Sequence, residues 1–133
     1  MVTGRVCYLD ASALVKLVVT EPETQALLTY LTDFPGRLTS VISAVEVPRA
    51  AARHGLPATA QLSHLRDSVD LFDLDAGVLE GAAEVKPVGL RTLDAIHVAT
   101  AVALRDDLVA MVSYDHRLID AARAAGLPVV SPA

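Results

Sequence analysis

Val6-Cys7-Tyr8-Leu9-Asp10-Ala11-Ser12-Ala13-Leu14-Val15-Lys16-Leu17-Val18 begins with four residues of β-rich composition and passes, at a single aspartate, into a stretch of helical composition with mostly apolar faces. It reads as a buried strand that feeds directly into a helix. The alternation recurs downstream. Leu38 to Ile42 reads as a second strand leading to a helix from Ser43 to about His54, which Gly55 and Pro57 end. Ala58 to Ser68 is amphipathic, and Val69 to Leu74 alternates apolar with polar, as an edge strand with one exposed face would. Asp75 to Val85 reads as helix and Lys86 to Gly89 as loop, while Thr92 to Leu104 is the most apolar helix and so the central one. Leu108 to Val112 is a strand, Arg117 to Ala125 a helix, and Pro128 to Val130 a last short strand after Gly126.

Strands and helices that alternate on this scale predict an α/β fold: a central parallel sheet of four to five strands, helices on both faces, right-handed crossovers. The 133 residues suit one domain over the whole chain, without repeats or linkers. Two helix starts carry capping-box spacing. Thr20-Glu21-Pro22-Glu23 predicts a second helix reaching about Thr32, and Ser43-x-x-Glu46 would occupy the Glu46 carboxylate locally.

The formal charge of −5 argues against broad adhesion to nucleic acid through a basic face, though not against a nucleic-acid substrate. Nine of the eleven cations are arginine, so phosphate contacts would fall to guanidinium groups, with Arg49, Arg53, Arg66, Arg91 and Arg117 as candidates. Cys7 is the only cysteine, which excludes an intrachain disulfide and fits a reducing cytoplasm. Arg5 interrupts the opening residues and Val6 to Leu9 is too short for a signal-peptide core; nothing approaches a membrane span. A hydrophobic fraction of 53% is high for so small a chain and predicts apolar surface that meets a partner.

Parallel α/β sheets bind ligands beyond the carboxyl ends of their strands, where the strand order reverses. Of sixteen acids, Asp10 and Asp115 each follow a strand's last apolar residues, and Glu46 and Asp94 lie where helices begin. Singly, each has a structural role open to it. Asp10 and Asp115 can cap helices, Glu46 can close its capping box, and Asp94 can meet a helix dipole. Together they suggest one pocket, in which carboxylates about 4 Å apart repel by roughly 4 kcal/mol per pair at an effective dielectric near 20 and so bind a cation or hold protons. Ser12 could steer Asp10. Lys16, one turn after Ser12, could offer its ammonium to the cluster or to a phosphate, or be a solvated charge. His97, one turn after Asp94, reads as a hydrogen-bonded core histidine rather than a ligand, and His116 as an exposed loop residue.

Four blocks, Tyr8 to Lys16, Ser43 to Glu46, Leu93 to Ala101 and Ser113 to Leu118, closely resemble the PIN-domain nucleases, and most of all the VapC-type toxins of bacterial toxin–antitoxin modules. The resemblance spans essentially the whole chain in motif order and spacing. It implies an acidic quartet of Asp10, Glu46, Asp94 and Asp115 holding Mg²⁺ or Mn²⁺, with Ser12 as the small hydroxyl of the first motif. It further implies a homodimer and a cognate VapB-like antitoxin whose C-terminal segment covers the acidic groove. Oxygen ligands suit those ions, which would polarise a scissile phosphate and activate water, and the resemblance implies that the reaction is hydrolysis of RNA phosphodiester bonds. The alternative is a catalytically weak PIN-fold partner of an antitoxin.

Rivals of other classes fit less well. A phospho-accepting receiver domain and an aspartate-nucleophile phosphatase both need a late lysine, and none follows Lys86; the phosphatase also needs an acid where Ser12 stands. No G-x-x-x-x-G-K or G-x-G-x-x-G string occurs. The RNA that is cut, its sequence and the number of metal ions are not legible from these residues.

Overall fold

A computed structural model describes residues 6–133. Arg5, expected to break the opening apolar run, lies outside them. In chain order the elements are β1 (Val6–Leu9), α1 (Ala11–Val18), α2 (Thr24–Leu31), β2 (Gly36–Ser40), α3 (Ser43–Ala52), α4 (Ala58–Ser68), β3 (Asp70–Phe72), α5 (Ala76–Ala83), α6 (Thr92–Ala103), β4 (Leu108–Val112), α7 (His116–Ala124) and β5 (Val129–Val130). A short 3₁₀ turn at Arg105–Asp107 precedes β4.

The five strands form one parallel sheet in the order β3-β2-β1-β4-β5. β3 is an edge strand, as its alternation predicts. The chain builds outward from β1 to β2 and β3, then returns past β1 to add β4 and β5, so the order reverses between β1 and β4. A parallel sheet has no exposed face, and the period of two in β1 divides its side chains between two cores. Cys7 and Leu9 pack with Ala13, Leu14, Leu27, Leu31, Val47 and Leu65 from α1 to α4. Tyr8 points the other way, with Met111, against Val98 and Ala101 of α6 and Leu118, Ala121 and Ala122 of α7. Every residue of α6 from Asp94 to Ala101 is buried, which bears out its central place.

The capping box expected at Thr20 does not form. Helix α2 starts at Thr24, whose hydroxyl accepts from the Glu21 amide at 2.9 Å and donates to the Lys16 carbonyl at 2.7 Å. Glu23 instead accepts from the Lys16 ammonium at 2.9 Å, a charge-assisted bond stronger than one to a neutral amide. Strand β2 runs from Gly36 to Ser40 rather than from Leu38 to Ile42. Gly36 pairs with Val6, and the ladder ends where the Ser40 amide turns to the Tyr8 hydroxyl at 3.1 Å. Helices α3 and α7 end as their glycines predict: Gly55 and Gly126 take φ of +78° and +85°. Amides of Leu56 and Leu127 then reach back to the carbonyls of Ala51 and Ala122.

Candidate active site

Because β1 and β4 are neighbours, the residues after them emerge side by side at the sheet's carboxyl edge. The Asp10 amide continues the ladder by donating to the Val112 carbonyl at 3.2 Å. Its side chain, 2% exposed, caps α1: Oδ1 accepts from the Ala13 amide at 3.0 Å and the Ser12 hydroxyl at 2.7 Å, and Oδ2 accepts from the Ser113 hydroxyl at 2.7 Å. Burial pushes the Asp10 carboxyl above the usual aspartate value, and the Ser113 and Ser12 hydroxyls oppose that shift by binding the ionised form. Both serines are held in turn. Ser12 Oγ accepts from the Tyr114 amide at 2.9 Å, and Ser113 Oγ from the Asp115 amide at 3.2 Å. One hydroxyl therefore links Asp10 to the backbone of Asp115.

Asp115 caps α7, with Oδ1 accepting from the amides of Arg117 and Leu118. Its Oδ2 is left for Arg91, whose Nη2 lies 2.8 Å away, while Arg91 Nε donates to Asp94 Oδ2 at 2.9 Å. A single guanidinium thus joins the third acid to the fourth. The Asp94 hydrogen bond, with the charges of both acids, raises the Arg91 pKa further.

Glu46 lies in the first turn of α3 but closes no capping box. The Ser43 hydroxyl pairs with Thr39 Oγ1 at 2.7 Å, and Ile42, at the N-cap, contributes no side-chain bond. Glu46 Oε1 instead meets His97 Nε2 at 2.7 Å. His97 Nδ1 meets the Tyr8 hydroxyl at 2.6 Å, so the histidine is buried and doubly bonded, the core role its sequence predicts, with an acid as one partner.

Asp10 is thus tied to Asp115 through Ser113 and Asp115 to Asp94 through Arg91, while Glu46 is bonded to His97, one turn beyond Asp94 on α6, and to none of the other three acids among the described residues. Among the described residues no three histidine, cysteine or acidic side chains converge on a single point. The chemistry of the donor set nevertheless fits a hard cation, because a guanidinium stands between two carboxylates as a cation would. Beside the cluster runs a groove of about 680 Å³ lined by Ser12, Glu46, Arg49, Arg53, Leu93 and Tyr114, among others. Arg49 and Arg53 are exposed and have no acidic partner among the described residues.

Lys16 is not the solvated charge considered for it, and it lines the groove. It is 9% exposed, bound to Glu23 and Glu21, with its ammonium 4.6 Å from the Tyr114 ring centre. His116 is exposed as expected, though as the first residue of α7 rather than in a loop. The sequence singles out neither Ser113 nor Tyr8, and it places Arg91 only among phosphate candidates. The spacing Arg91-x-x-Asp94, one helical turn, is the signal that could have paired the last two.

The PIN domain family model matches residues 7–124. Ribonuclease VapC47 of Mycobacterium tuberculosis is 42% identical over 130 residues, covering 94% of this chain and 96% of the relative. Ribonuclease VapC46 of the same species is 43% identical over 125 residues with the same coverage. Among solved structures, VapBC2 from Rickettsia felis, bound to a promoter DNA fragment, superposes with a TM-score of 0.75 at 13% identity, over 96% of this chain and 99% of that one. VapC20 of M. tuberculosis, a sarcin-ricin loop cleaving toxin, gives a TM-score of 0.72 at 18% identity, over 95% of this chain and 99% of that one.

Proposed function

The chain belongs to the PIN-domain family, and on that premise we propose that it is a ribonuclease acting as the toxin of a toxin–antitoxin pair, hydrolysing RNA phosphodiester bonds to inhibit growth. Relatives above 40% identity over nearly the whole chain carry the name ribonuclease VapC, and that supports the activity. The observation that supports the site is the chain of bonds that ties Asp10 to the Asp115 backbone through Ser113, and Asp115 to Asp94 through Arg91, where the strand order reverses.

Asp10, Glu46, Asp94 and Asp115 are the residues proposed to hold Mg²⁺ or Mn²⁺. Such an ion supplies Lewis-acid polarisation of the scissile phosphate and neutralises charge that develops there. The chain's own groups do the rest. Ser12 and Ser113 fix both Asp10 oxygens and favour the ionised carboxylate, which burial alone would disfavour. Arg91 neutralises Asp94 and Asp115 until a cation replaces it, and its side chain, 64% exposed, has room to leave. Arg49 and Arg53 offer guanidinium groups to the phosphates of RNA in the groove.

The partner in this proposal is a VapB-like antitoxin, since solved neighbours include toxin–antitoxin complexes. Its docking would use the apolar side chains beside the groove, where Val45 is 62% and Leu93 45% exposed. A homodimer in the cytoplasm completes the reading, with the mostly apolar hollow of about 570 Å³ between α5, α6 and α7 as surface for the second copy. No helix among the described residues is long and apolar enough to cross a membrane. Inducible expression tests the function. The wild-type chain alone should arrest growth and degrade RNA, while Asp10→Asn and Asp94→Asn should be harmless at equal expression. Equal toxicity of all three would overturn the proposal.

A further inference from the structure

Beneath the groove lies a buried hydrogen-bond chain that runs across four elements and ends on one acid. The Ser40 amide of β2 donates to the Tyr8 hydroxyl of β1 at 3.1 Å. That hydroxyl lies 2.6 Å from His97 Nδ1 of α6, and His97 Nε2 lies 2.7 Å from Glu46 Oε1 of α3. Tyr8 is 0% and His97 1% exposed, while the Glu46 side chain keeps 21% exposure at the groove.

Donor counting fixes the direction. An ionised carboxylate can only accept, so His97 Nε2 carries a hydrogen and donates to Glu46 Oε1. In a neutral imidazole Nδ1 is then bare and accepts from the Tyr8 hydroxyl, whose oxygen accepts in turn from the Ser40 amide. We propose that Tyr8 and His97 are a positioning pair that fixes the Nε2–H tautomer and holds Glu46 by Oε1, leaving Oε2 for the cation at the groove Glu46 lines.

The proposal rests on the metal-dependent ribonuclease reading and deepens it. A histidine needed only for packing could satisfy its nitrogens on nearby carbonyls. Here one nitrogen reaches an acid 51 residues away and the other a tyrosine 89 residues away. Glu46 is also free of the local duty its sequence suggests, because Ser43 is bound to Thr39. Groups that orient a metal-binding carboxylate from behind set its affinity, and losing one typically costs about 10–100-fold.

The test joins ¹⁵N NMR of the imidazole with Mn²⁺ titration and cleavage kinetics of the full chain. In the wild type, His97 should carry its proton on Nε2 and leave Nδ1 bare. Tyr8→Phe keeps the ring and removes one hydroxyl; it should mix the tautomers and weaken Mn²⁺ binding about 10–100-fold. His97→Gln retains an N–H for Glu46 and should bind Mn²⁺ more tightly than His97→Leu. If His97→Leu does not fold, Tyr8→Phe and the wild-type spectrum decide. A wild-type proton on Nδ1, or wild-type Mn²⁺ affinity in a folded Tyr8→Phe, would overturn the proposal. A wild type that neither binds Mn²⁺ nor cuts RNA overturns the ribonuclease reading instead, since the spectrum reports the pair independently.

Discussion

Arg91→Gln should make the metal-free protein less stable and its affinity for Mn²⁺ higher. The guanidinium lies 2.9 Å from Asp94 and 2.8 Å from Asp115, and removing it leaves two carboxylates without their shared counter-charge. At 4 Å and an effective dielectric near 20 each attraction is worth roughly 4 kcal/mol before desolvation and screening. Arg91 is 64% exposed at its side chain, so the estimate must fall toward that of surface pairs; Asp94 at 10% and Asp115 at 28% keep it above the lowest of them. About 1–2 kcal/mol for the two contacts together is the result. For a chain of this size that lowers Tm by about 4–8 °C in EDTA. The same free energy opposes any cation that must displace the guanidinium, so its loss should tighten Mn²⁺ binding about 5–30-fold. Melting in EDTA and calorimetric titration with Mn²⁺ measure the two effects. Weaker or unchanged Mn²⁺ binding in a folded variant would refute the competition between Arg91 and metal.

Asp10→Asn should lose a pH dependence of stability that the wild type shows without metal, because burial raises the Asp10 pKa and ionising the carboxylate therefore costs folding stability. The sign follows: the wild type loses stability relative to the variant as pH rises from the ordinary 3.8 through the raised folded value, and regains it on acidification toward pH 3.8. A wild type that loses stability relative to the variant on acidification over that range would contradict it. In an Asp10→Asn background, Arg49→Ala and Arg53→Ala should each flatten the salt dependence of single-stranded RNA binding by about 0.7 in log–log slope, and anisotropy titrations at several salt concentrations would detect its absence. Cys7 is 0% exposed and burial pushes its thiol up to about 11, so it should resist thiol reagents in the native protein at pH 8 and react once in guanidinium.

The order of elements and the site's edge were legible because local signals sufficed for them. Val6–Leu9 and Ala11–Val18 stand where the opening stretch places them, and the apolar run from Thr92 becomes the buried α6. Local signals failed where a distant group competes. Two capping boxes are spelled correctly in the sequence, yet Glu23 is taken by Lys16 and Glu46 by His97, and a spacing of three residues carries no trace of either partner. Where β2 stops pairing with β1 was hidden for the same reason, since the Ser40 amide is taken by a tyrosine hydroxyl from β1. Of the site, Asp10 and Asp115 follow from sheet geometry. Glu46 and Asp94 needed the resemblance to join them, and the bonds that tie the cluster, through Ser113, Arg91 and Tyr8, exist only once the chain has folded.

RNA cleavage by the purified chain, with Mg²⁺ and with EDTA, tests the central claim most directly when run beside Asp10→Asn, Glu46→Gln, Asp94→Asn and Asp115→Asn. The account predicts cleavage by the wild type in Mg²⁺ alone and a loss of at least about 100-fold in every folded variant, since each swap keeps shape and deletes a ligand charge. Cleavage that survives EDTA, or that persists in Asp10→Asn or Asp94→Asn, would contradict it.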